Sequence, residues 1–225
     1  MPSTVSYSVA QVSSRLYQIE TKISDALNKP RTRYHTHLKL CPSPRPGWTP
    51  GQIPADANPA AVLVLLYLAQ DAPHFILTVR THRLNRHAGQ ISLPGGMVEK
   101  DETIRNAALR ETYEELGIDQ SQIRLQGDLS ALYIPVTNIA LHPVVGFSDR
   151  PLKFLPSKDE VDRVVQVPLT ELADKKNFRH GTRWRKEQCY RVPYFALQEE
   201  RVWGATAMVL SELLDVLGMS RKDSC

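Results

Sequence analysis

No stretch of this sequence is apolar for long enough to cross a membrane. The longest uninterrupted apolar run covers ten residues, 60–69, whereas a membrane-spanning helix needs about 20. The N-terminus also lacks a basic stretch followed by an apolar core, which is the pattern of a secretory signal. We therefore expect a cytoplasmic protein that does not bind membranes, and we expect residues 60–69 to form a buried strand.

Cysteine is scarce, and neither sign of charge is in large excess. The three cysteines, Cys41, Cys189 and Cys225, are widely spaced and include no CxxC pair. This pattern fits neither a disulfide framework nor a structural zinc site, and it agrees with a reducing compartment. The net charge of +4 is mild. It predicts no nucleic-acid partner, but it is compatible with an anionic small-molecule substrate.

The composition of the chain divides it into residues 1–58, 59–219 and 220–225. In the first part, apolar residues recur at helical spacing and predict an amphipathic helix over residues 8–28. They are Val12, Leu16, Ile19, Ile23 and Leu27. A proline-rich linker follows, from Pro42 to Pro59. We interpret residues 1–58 as an N-terminal helical appendage, residues 59–219 as the main domain and the remainder as a short tail.

The main domain alternates between strand-like and helix-like patterns. Strands are predicted at 61–68, 75–79, 123–132, 142–147, 161–167 and 190–195, and helices at 102–116 and 205–217. Asp101 is expected to cap the first of these helices, and Gly117 to end it in the left-handed conformation. The pattern predicts an α/β fold of the α+β sandwich type, with a mixed β-sheet flanked by helices.

The first of these helices carries a cluster of carboxylates. On a helical wheel, Arg110, Glu111, Glu114 and Glu115 fall within an arc of roughly 140°. The opposite arc, with residues 108, 109, 112, 113 and 116, is expected to pack on the sheet. Glutamates at this spacing repel one another by a few tenths of a kcal/mol per pair, roughly. A hard divalent cation such as magnesium needs oxygen ligands and would remove that repulsion. The alternative is an ordinary solvated charged face.

The surrounding residues decide between these two interpretations. Residues 96–118 resemble the Nudix box, in which a glycine, five residues, a glutamate, seven residues and Arg-Glu precede Glu-Glu and glycine. The matching positions are Gly96, Glu102, Arg110, Glu111, Glu114, Glu115 and Gly117. Thr112 departs from the pattern, since the family usually has an aliphatic residue there. The resemblance implies a Nudix fold whose loop–helix–loop presents Mg²⁺ or Mn²⁺ to a pyrophosphate.

The resemblance also implies a set of metal ligands. Glu111 and Glu115 would be the principal ligands, and Glu114 would assist them. The carbonyl of Gly96 would be a further ligand. Bound metal ions neutralise phosphate oxygens, stabilise the leaving group and activate a water molecule.

Other residues of the box would support the site without binding the metal. Arg110 and Glu102 would be structural and orienting, and Gly95 would form the tight turn before the helix. The general base in this family can lie in a later loop, where Glu160 is our candidate. The alternative for Glu160 is an ordinary surface carboxylate in front of a strand.

A basic stretch leads directly into the glycine turn. Its cationic residues are candidates for binding the phosphates of the substrate, because arginine offers planar forks that match phosphate oxygens. The candidates are Arg80, Arg83, Arg86 and His87. The alternative is a solvated basic loop.

The same region carries a second resemblance. Residues 77–96 are similar to the signature found upstream of the box in coenzyme A pyrophosphatases. Residues 141–146 and 202–207 are similar to later segments of the same subfamily. Thr81, Asn85 and Leu93 depart from the signature. Trp203, in the last of these segments, is a candidate for lining a groove that holds the pantetheine arm.

A second basic stretch at residues 175–186 includes two aromatic residues, Phe178 and Trp184. We predict an ordinary surface loop here. The alternative is a nucleotide or nucleic-acid contact.

The leading hypothesis is a metal-dependent hydrolase that cleaves the pyrophosphate bond of coenzyme A or its acyl forms. A Nudix enzyme acting on ADP-ribose or another nucleoside diphosphate derivative is the second hypothesis. A Nudix-fold module that binds a nucleotide without cleaving it is the third, although such a module would be expected to lose metal ligands. The expected partner is a small nucleotide-type molecule, and the sequence leaves open whether the chain forms a homodimer.

Overall fold

The computed structural model describes residues 9–28, 33–81, 89–185 and 187–219. The α-helices in these residues are α1 Val9–Leu27, α2 Tyr34–Leu40, α3 Ile104–Leu116, α4 Leu169–Ala173 and α5 Gly204–Val216. The first strands are β1 Asn58–Ala69, β2 Ala72–Arg80, β3 Ile91–Ser92, β4 Gly95–Met97, β5 Arg124–Asp128 and β6 Leu132–Ile134. The later strands are β7 Ile139–Ser148, β8 Val161–Pro168, β9 Phe178–Arg185, β10 Gln188–Leu197 and β11 Glu200–Trp203.

Strands β1 to β8 form one mixed sheet. Its central order is β3-β2-β1-β7-β5, with β4 also paired to β1, β6 to β7 and β8 to β2. The β1–β7 pair is parallel, whereas the other pairs of this sheet are antiparallel. Strands β9 to β11 form a separate antiparallel sheet. The predicted mixed sheet flanked by helices is confirmed.

Strand β1 is buried on both faces, which explains its uninterrupted apolar run. Side chains that alternate along it belong to two different clusters. Val62 and Val64 join the cluster that includes residues of α1 and α5, and Leu63 and Leu65 join the one that includes α3. The sheet is therefore the middle layer between helices on both sides.

The N-terminal helix packs onto this core. The prediction of a helix over residues 8–28 is confirmed by α1, and its residues Leu16 and Ile23 are buried in the cluster shared with α5. Helix α2, which the sequence analysis did not anticipate, packs against α5. There His37 Nε2 lies 2.8 Å from Glu212 Oε2, and both side chains are fully buried. The boundary at residue 58 stays a prediction.

Two sequence-based assignments are wrong. The single strand predicted at residues 123–132 is divided into β5 and the start of β6, because Asp128 pairs with Val144 and Leu132 with Leu141, so that the connection between them is one residue longer than the stretch of β7 it faces. The loop predicted at 175–186 is largely strand β9, paired with β10 along its length. The charged side chains that the structure describes there are compatible with a strand because they are exposed, and Arg183 also lies over the ring of Trp203 at 4.9 Å.

Within the described part of the chain, no helix is both long and apolar enough to cross a membrane.

Candidate active site

Helix α3 presents its glutamates at three different depths. Glu115 is 2% exposed, Glu111 is partly buried and Glu114 is exposed. Tyr113, which the helical wheel assigned to the packed side, is 55% exposed. That assignment is wrong, because the buried stripe of α3 includes Thr112, Glu115 and Leu116 and leaves position 113 outside it.

The sequence-based prediction for α3 is wrong at the N-terminal end of the helix and confirmed at its C-terminal end. Thr103, and not Asp101, is the N-cap, since its hydroxyl accepts a hydrogen bond from the N–H of Asn106. Asp101 lies two residues outside the cap, in the left-handed conformation. At the other end Gly117 is left-handed as predicted, with a φ of 68°, and its N–H donates to the Tyr113 carbonyl.

The glycine turn in front of α3 leaves no space for a side chain unless neighbouring atoms move. A β-carbon on Gly95 would overlap the carbonyl oxygen of Ala61, and one on Gly96 would overlap the carboxylate of Glu111. Strand β4 pairs with β1 through these two glycines. The pairing fixes the turn against the carboxylates of α3, with the Gly96 backbone directly beside Glu111.

Arg110 joins the loop before α3 to the helix itself. Its Nε donates to Glu102 at 2.9 Å, and its Nη2 donates to the Met97 carbonyl at 3.0 Å. Its Nη1 donates to Glu111 at 2.9 Å and to Glu114 at 3.0 Å. The hydrogen bond from Arg110 to Glu102 is the main cause that lowers the pKa of Glu102 below its ordinary value. A single guanidinium therefore fixes the positions of three carboxylates of the box.

Glu115 is a buried carboxylate without full pairing. Its Oε2 has no hydrogen-bond partner among the described residues, and its Oε1 lies 3.8 Å from Arg80 Nη1. Burial raises the pKa of Glu115 to about 8, the nearby Arg80 opposes this, and the charges of Glu111 and Glu160 add to it. Such a group gains more from a cation than a solvated glutamate does.

Glu160, the candidate general base, lies near these carboxylates. The loop before it is held to the end of α3, where the N–H groups of Leu155 and Ser157 donate to the carbonyls of Leu116 and Glu115. The charge of Glu160 raises the pKa of both Glu111 and Glu115, although burial is the larger cause for each. The fold therefore brings three acidic side chains from two segments to one place.

These residues have the chemistry of a divalent-metal site. Their donor atoms are all oxygens, which hard cations prefer, and the unpaired Oε2 of Glu115 is an orphaned buried acceptor. Within the described ranges, no three acidic, histidine or cysteine side chains are already arranged around a metal position. Arg110 instead binds Glu111 and Glu114. The residues fit a metal ion, provided that these two carboxylates turn from Arg110 towards it.

Of the predicted phosphate-binding residues, the structure describes one. Arg80 ends β2, is 30% exposed and contacts Glu115, so it lies at the carboxylate cluster. Arg83, Arg86 and His87 fall outside the described residues, and their role stays a prediction. The sequence analysis missed residues 45–54, taken as part of a linker, which the structure places beside Tyr133 of β6. No motif in that segment signalled the contact.

Comparison with known proteins agrees with this geometry. The NUDIX domain family pattern matches residues 57–186. The chain is 35% identical over 189 residues to the uncharacterized Nudix hydrolase NudL of Pectobacterium atrosepticum, covering 84% of this chain and 93% of the relative. It is 36% identical over 167 residues to the human mitochondrial coenzyme A diphosphatase NUDT8, covering 70% and 69% of the two chains. The resemblance of residues 77–96 to coenzyme A pyrophosphatases thus agrees with a relative that is named as a coenzyme A diphosphatase.

A solved structure agrees at the level of the fold. RenU, a Nudix hydrolase from M. smegmatis, superposes with a TM-score of 0.52 at 20% identity, covering 72% of this chain and 86% of that one. The family pattern covers more than half of the sequence and includes the whole glycine turn, helix α3 and Glu160. Because pattern, relatives and fold agree, the chain belongs to the Nudix hydrolase family.

Proposed function

We propose that this enzyme hydrolyses the pyrophosphate bond of coenzyme A or acyl-coenzyme A, using Mg²⁺ or Mn²⁺. The products would be adenosine 3′,5′-bisphosphate and phosphopantetheine or its acyl form. The observation that carries the proposal is the position of Glu111 against the glycine turn, one helical turn from the buried and incompletely paired Glu115. The similarity to a human coenzyme A diphosphatase supports the choice of substrate.

The carboxylates of α3 would hold the metal. Glu115 and Glu111 would be the principal ligands, Glu114 would assist, and the Gly96 carbonyl would complete the set. When bound, the ion would supply charge neutralisation for the phosphates and activation of water. Glu115 is held in place by its burial, and the carboxylate of Glu111 lies beside the Gly96 backbone.

The remaining polar residues would orient the substrate and move a proton. Arg110 keeps the loop and helix of the box in register through Glu102 and Met97. Arg80 would bind a phosphate oxygen once the metal takes over Glu115, since its guanidinium already lies at the edge of the carboxylate cluster. Glu160 would accept the proton of the attacking water.

Kinetics on three substrates test the proposal. We expect kcat/KM to be highest for coenzyme A, lower for dephospho-coenzyme A and lowest for ADP-ribose. We also expect no turnover after chelation of divalent metal and recovery on adding Mg²⁺ or Mn²⁺. Equal or better cleavage of ADP-ribose would overturn the coenzyme A assignment. Full activity in chelator would overturn the metal assignment instead.

A further inference from the structure

The segment between α2 and β1 is fixed to the rest of the molecule at both ends. Near its start, Ser43 exchanges two backbone hydrogen bonds with Arg191 of β10. Near its end, the side chain of Asn138 donates to the Asp56 carbonyl at 3.1 Å, and the N–H of Asn58 donates to the Asn138 carbonyl. The segment precedes the match to the family pattern, which begins at residue 57. It therefore lies outside the part of the chain that the family pattern covers.

This segment and strand β6 border an open, shallow cavity of about 490 Å³, lined by exposed residues between 47 and 54 and by Tyr133. Among the described residues that line it, none is charged. Thr49 and Gln52 contribute hydrogen-bonding groups, and Ile53 contributes apolar surface. Tyr133 contributes an aromatic ring, whose hydroxyl donates to Asn138. The walls therefore suit a neutral ligand group with both a flat face and polar edges.

Arg45 contacts the same strand, and its contacts among the described residues are all with neutral groups. Its Nη2 donates to the carbonyl of Tyr133 at 3.2 Å, its Nη1 lies 2.7 Å from the sulfur of Met208, and its guanidinium lies 4.6 Å from the ring centre of Trp48. Its remaining contact among the described residues is the sulfur of Cys41. A partly buried guanidinium without a carboxylate keeps its positive charge available to an anion.

A purine nucleotide with an additional phosphate matches both features, because its base suits the neutral cavity and its phosphate suits the guanidinium of Arg45. A glutamine amide can pair with the donor and acceptor on the edge of adenine, and an aromatic ring stacks on its face. The phosphate would take the charge of Arg45. A purely neutral arm such as pantetheine would use the walls but would leave the cation without a partner.

The distance to the carboxylates suits a single substrate. Tyr133 pairs with β7, β7 with β1, and β1 with Gly96 of β4. Three inter-strand steps of about 4.8 Å separate the two positions, or roughly 14 Å. A dinucleotide-type molecule can place its pyrophosphate at one position and its base at the other.

From these contacts we propose that Arg45 and the cavity beside Tyr133 form a subsite for the 3′-phosphoadenosine end of the substrate. The inference rests on the proposed function, because coenzyme A carries this group and ADP-ribose does not. It assigns the recognition of the 3′-phosphate to the segment outside the family pattern.

Binding of the half-substrate tests the subsite without turnover. Calorimetric titration without divalent metal would compare adenosine 3′,5′-bisphosphate with adenosine 5′-monophosphate. A charge-assisted hydrogen bond corresponds to a preference of roughly ten- to a hundred-fold for the bisphosphate. Arg45→Met should abolish that preference, and Arg45→Lys should keep part of it. Arg191→Met, at an exposed arginine paired with the same segment, should leave it intact.

A second variant separates base recognition from phosphate recognition. Gln52→Leu should weaken the binding of both nucleotides by a similar factor and preserve the ratio of their affinities. Thermal unfolding of Arg45→Met and Arg45→Lys identifies any loss caused by unfolding alone. If both variants fold and Arg45→Met keeps the full preference for the bisphosphate, the subsite assignment is wrong.

The substrate kinetics keep this inference distinct from the proposed function. Cleavage of coenzyme A by a protein that binds both nucleotides equally would overturn the subsite and leave the function standing. A preference for the bisphosphate that depends on Arg45, without cleavage of coenzyme A, would overturn the proposed function and leave the subsite standing. Absence of both preference and cleavage would overturn both.

Discussion

The α-carbon of Gly96 lies so close to the carboxylate of Glu111 that a β-carbon on it would overlap that carboxylate. The contact couples the backbone of the glycine turn to a proposed metal ligand, so a side chain at position 96 must displace Glu111. We expect Gly96→Ala to lower kcat/KM on the order of a hundred-fold, as displacements of about 1 Å in active sites do. Gly96→Val should abolish metal-dependent activity.

Gly218→Ala is the control for this prediction, because a β-carbon there meets nothing within 4 Å. It should cost about 1 kcal/mol of stability through its left-handed backbone and leave turnover unchanged. A Gly96→Ala enzyme with normal turnover would show that Glu111 need not stay in place.

Glu115→Gln should remove activity without removing the fold. Its side chain is buried, one of its oxygens lacks a partner among the described residues, and neighbouring carboxylates repel its charge. Neutralising it should leave the metal-free protein at least as stable to urea, while turnover falls by more than about a hundred-fold, beyond the usual loss for residues that only support ligands. Glu114→Gln, at a half-exposed side chain, should show a smaller loss. Near-normal turnover of Glu115→Gln would make the ligand assignment wrong.

Much of the fold was predictable because the pattern of apolar residues in the sequence matches the residues that the structure buries. The uninterrupted apolar run of β1 and the apolar spacing of α1 carry their own signals. Strand β9 was missed because its exposed arginines are equally typical of a solvated loop and of a strand with a solvent-facing side. Helix α2 has seven residues, too few for a helical period to be distinguished from chance.

The carboxylate cluster was predictable for a different reason. Glu111 and Glu115 are four residues apart on a helix, so their proximity is local. Glu160 lies far along the chain, and its place depends on hydrogen bonds from Leu155 and Ser157 to the end of α3. The contact of Arg45 with Tyr133 likewise joins segments 88 residues apart. Such contacts depend on tertiary packing and leave no spacing pattern in the sequence.

Glu160→Gln tests the assignment of the general base. We expect kcat at saturating metal to fall roughly a hundred- to ten-thousand-fold, the usual contribution of general-base catalysis. The exposed neighbour Asp159 gives the matched control, and Asp159→Asn should retain kcat. A Glu160→Gln enzyme with near-normal kcat would require a different base.

The buried pair between α2 and α5 makes a prediction about stability and pH. Burial alone would raise the pKa of Glu212, but hydrogen bonds from His37 and from Ser130 outweigh it, so its pKa lies below the ordinary value of 4.5. A carboxylate whose pKa is lowered by folding stabilises the protein above its unfolded pKa, and this contribution is lost as the pH falls through the folded pKa. We expect Glu212→Gln to cost about 1–3 kcal/mol in the free energy of unfolding at pH 7.

Urea denaturation of wild type and Glu212→Gln between pH 7 and pH 3 measures this contribution directly. The difference in unfolding free energy between the two proteins should stay constant down to about pH 4.5 and shrink below it. Comparing the proteins at each pH cancels the other carboxylates that titrate in the same range. Glu187→Gln, at an exposed side chain, should show no such difference at any pH. A Glu212→Gln deficit that stays constant to pH 3 would mean that the charge of the carboxylate contributes nothing to stability beyond its shape.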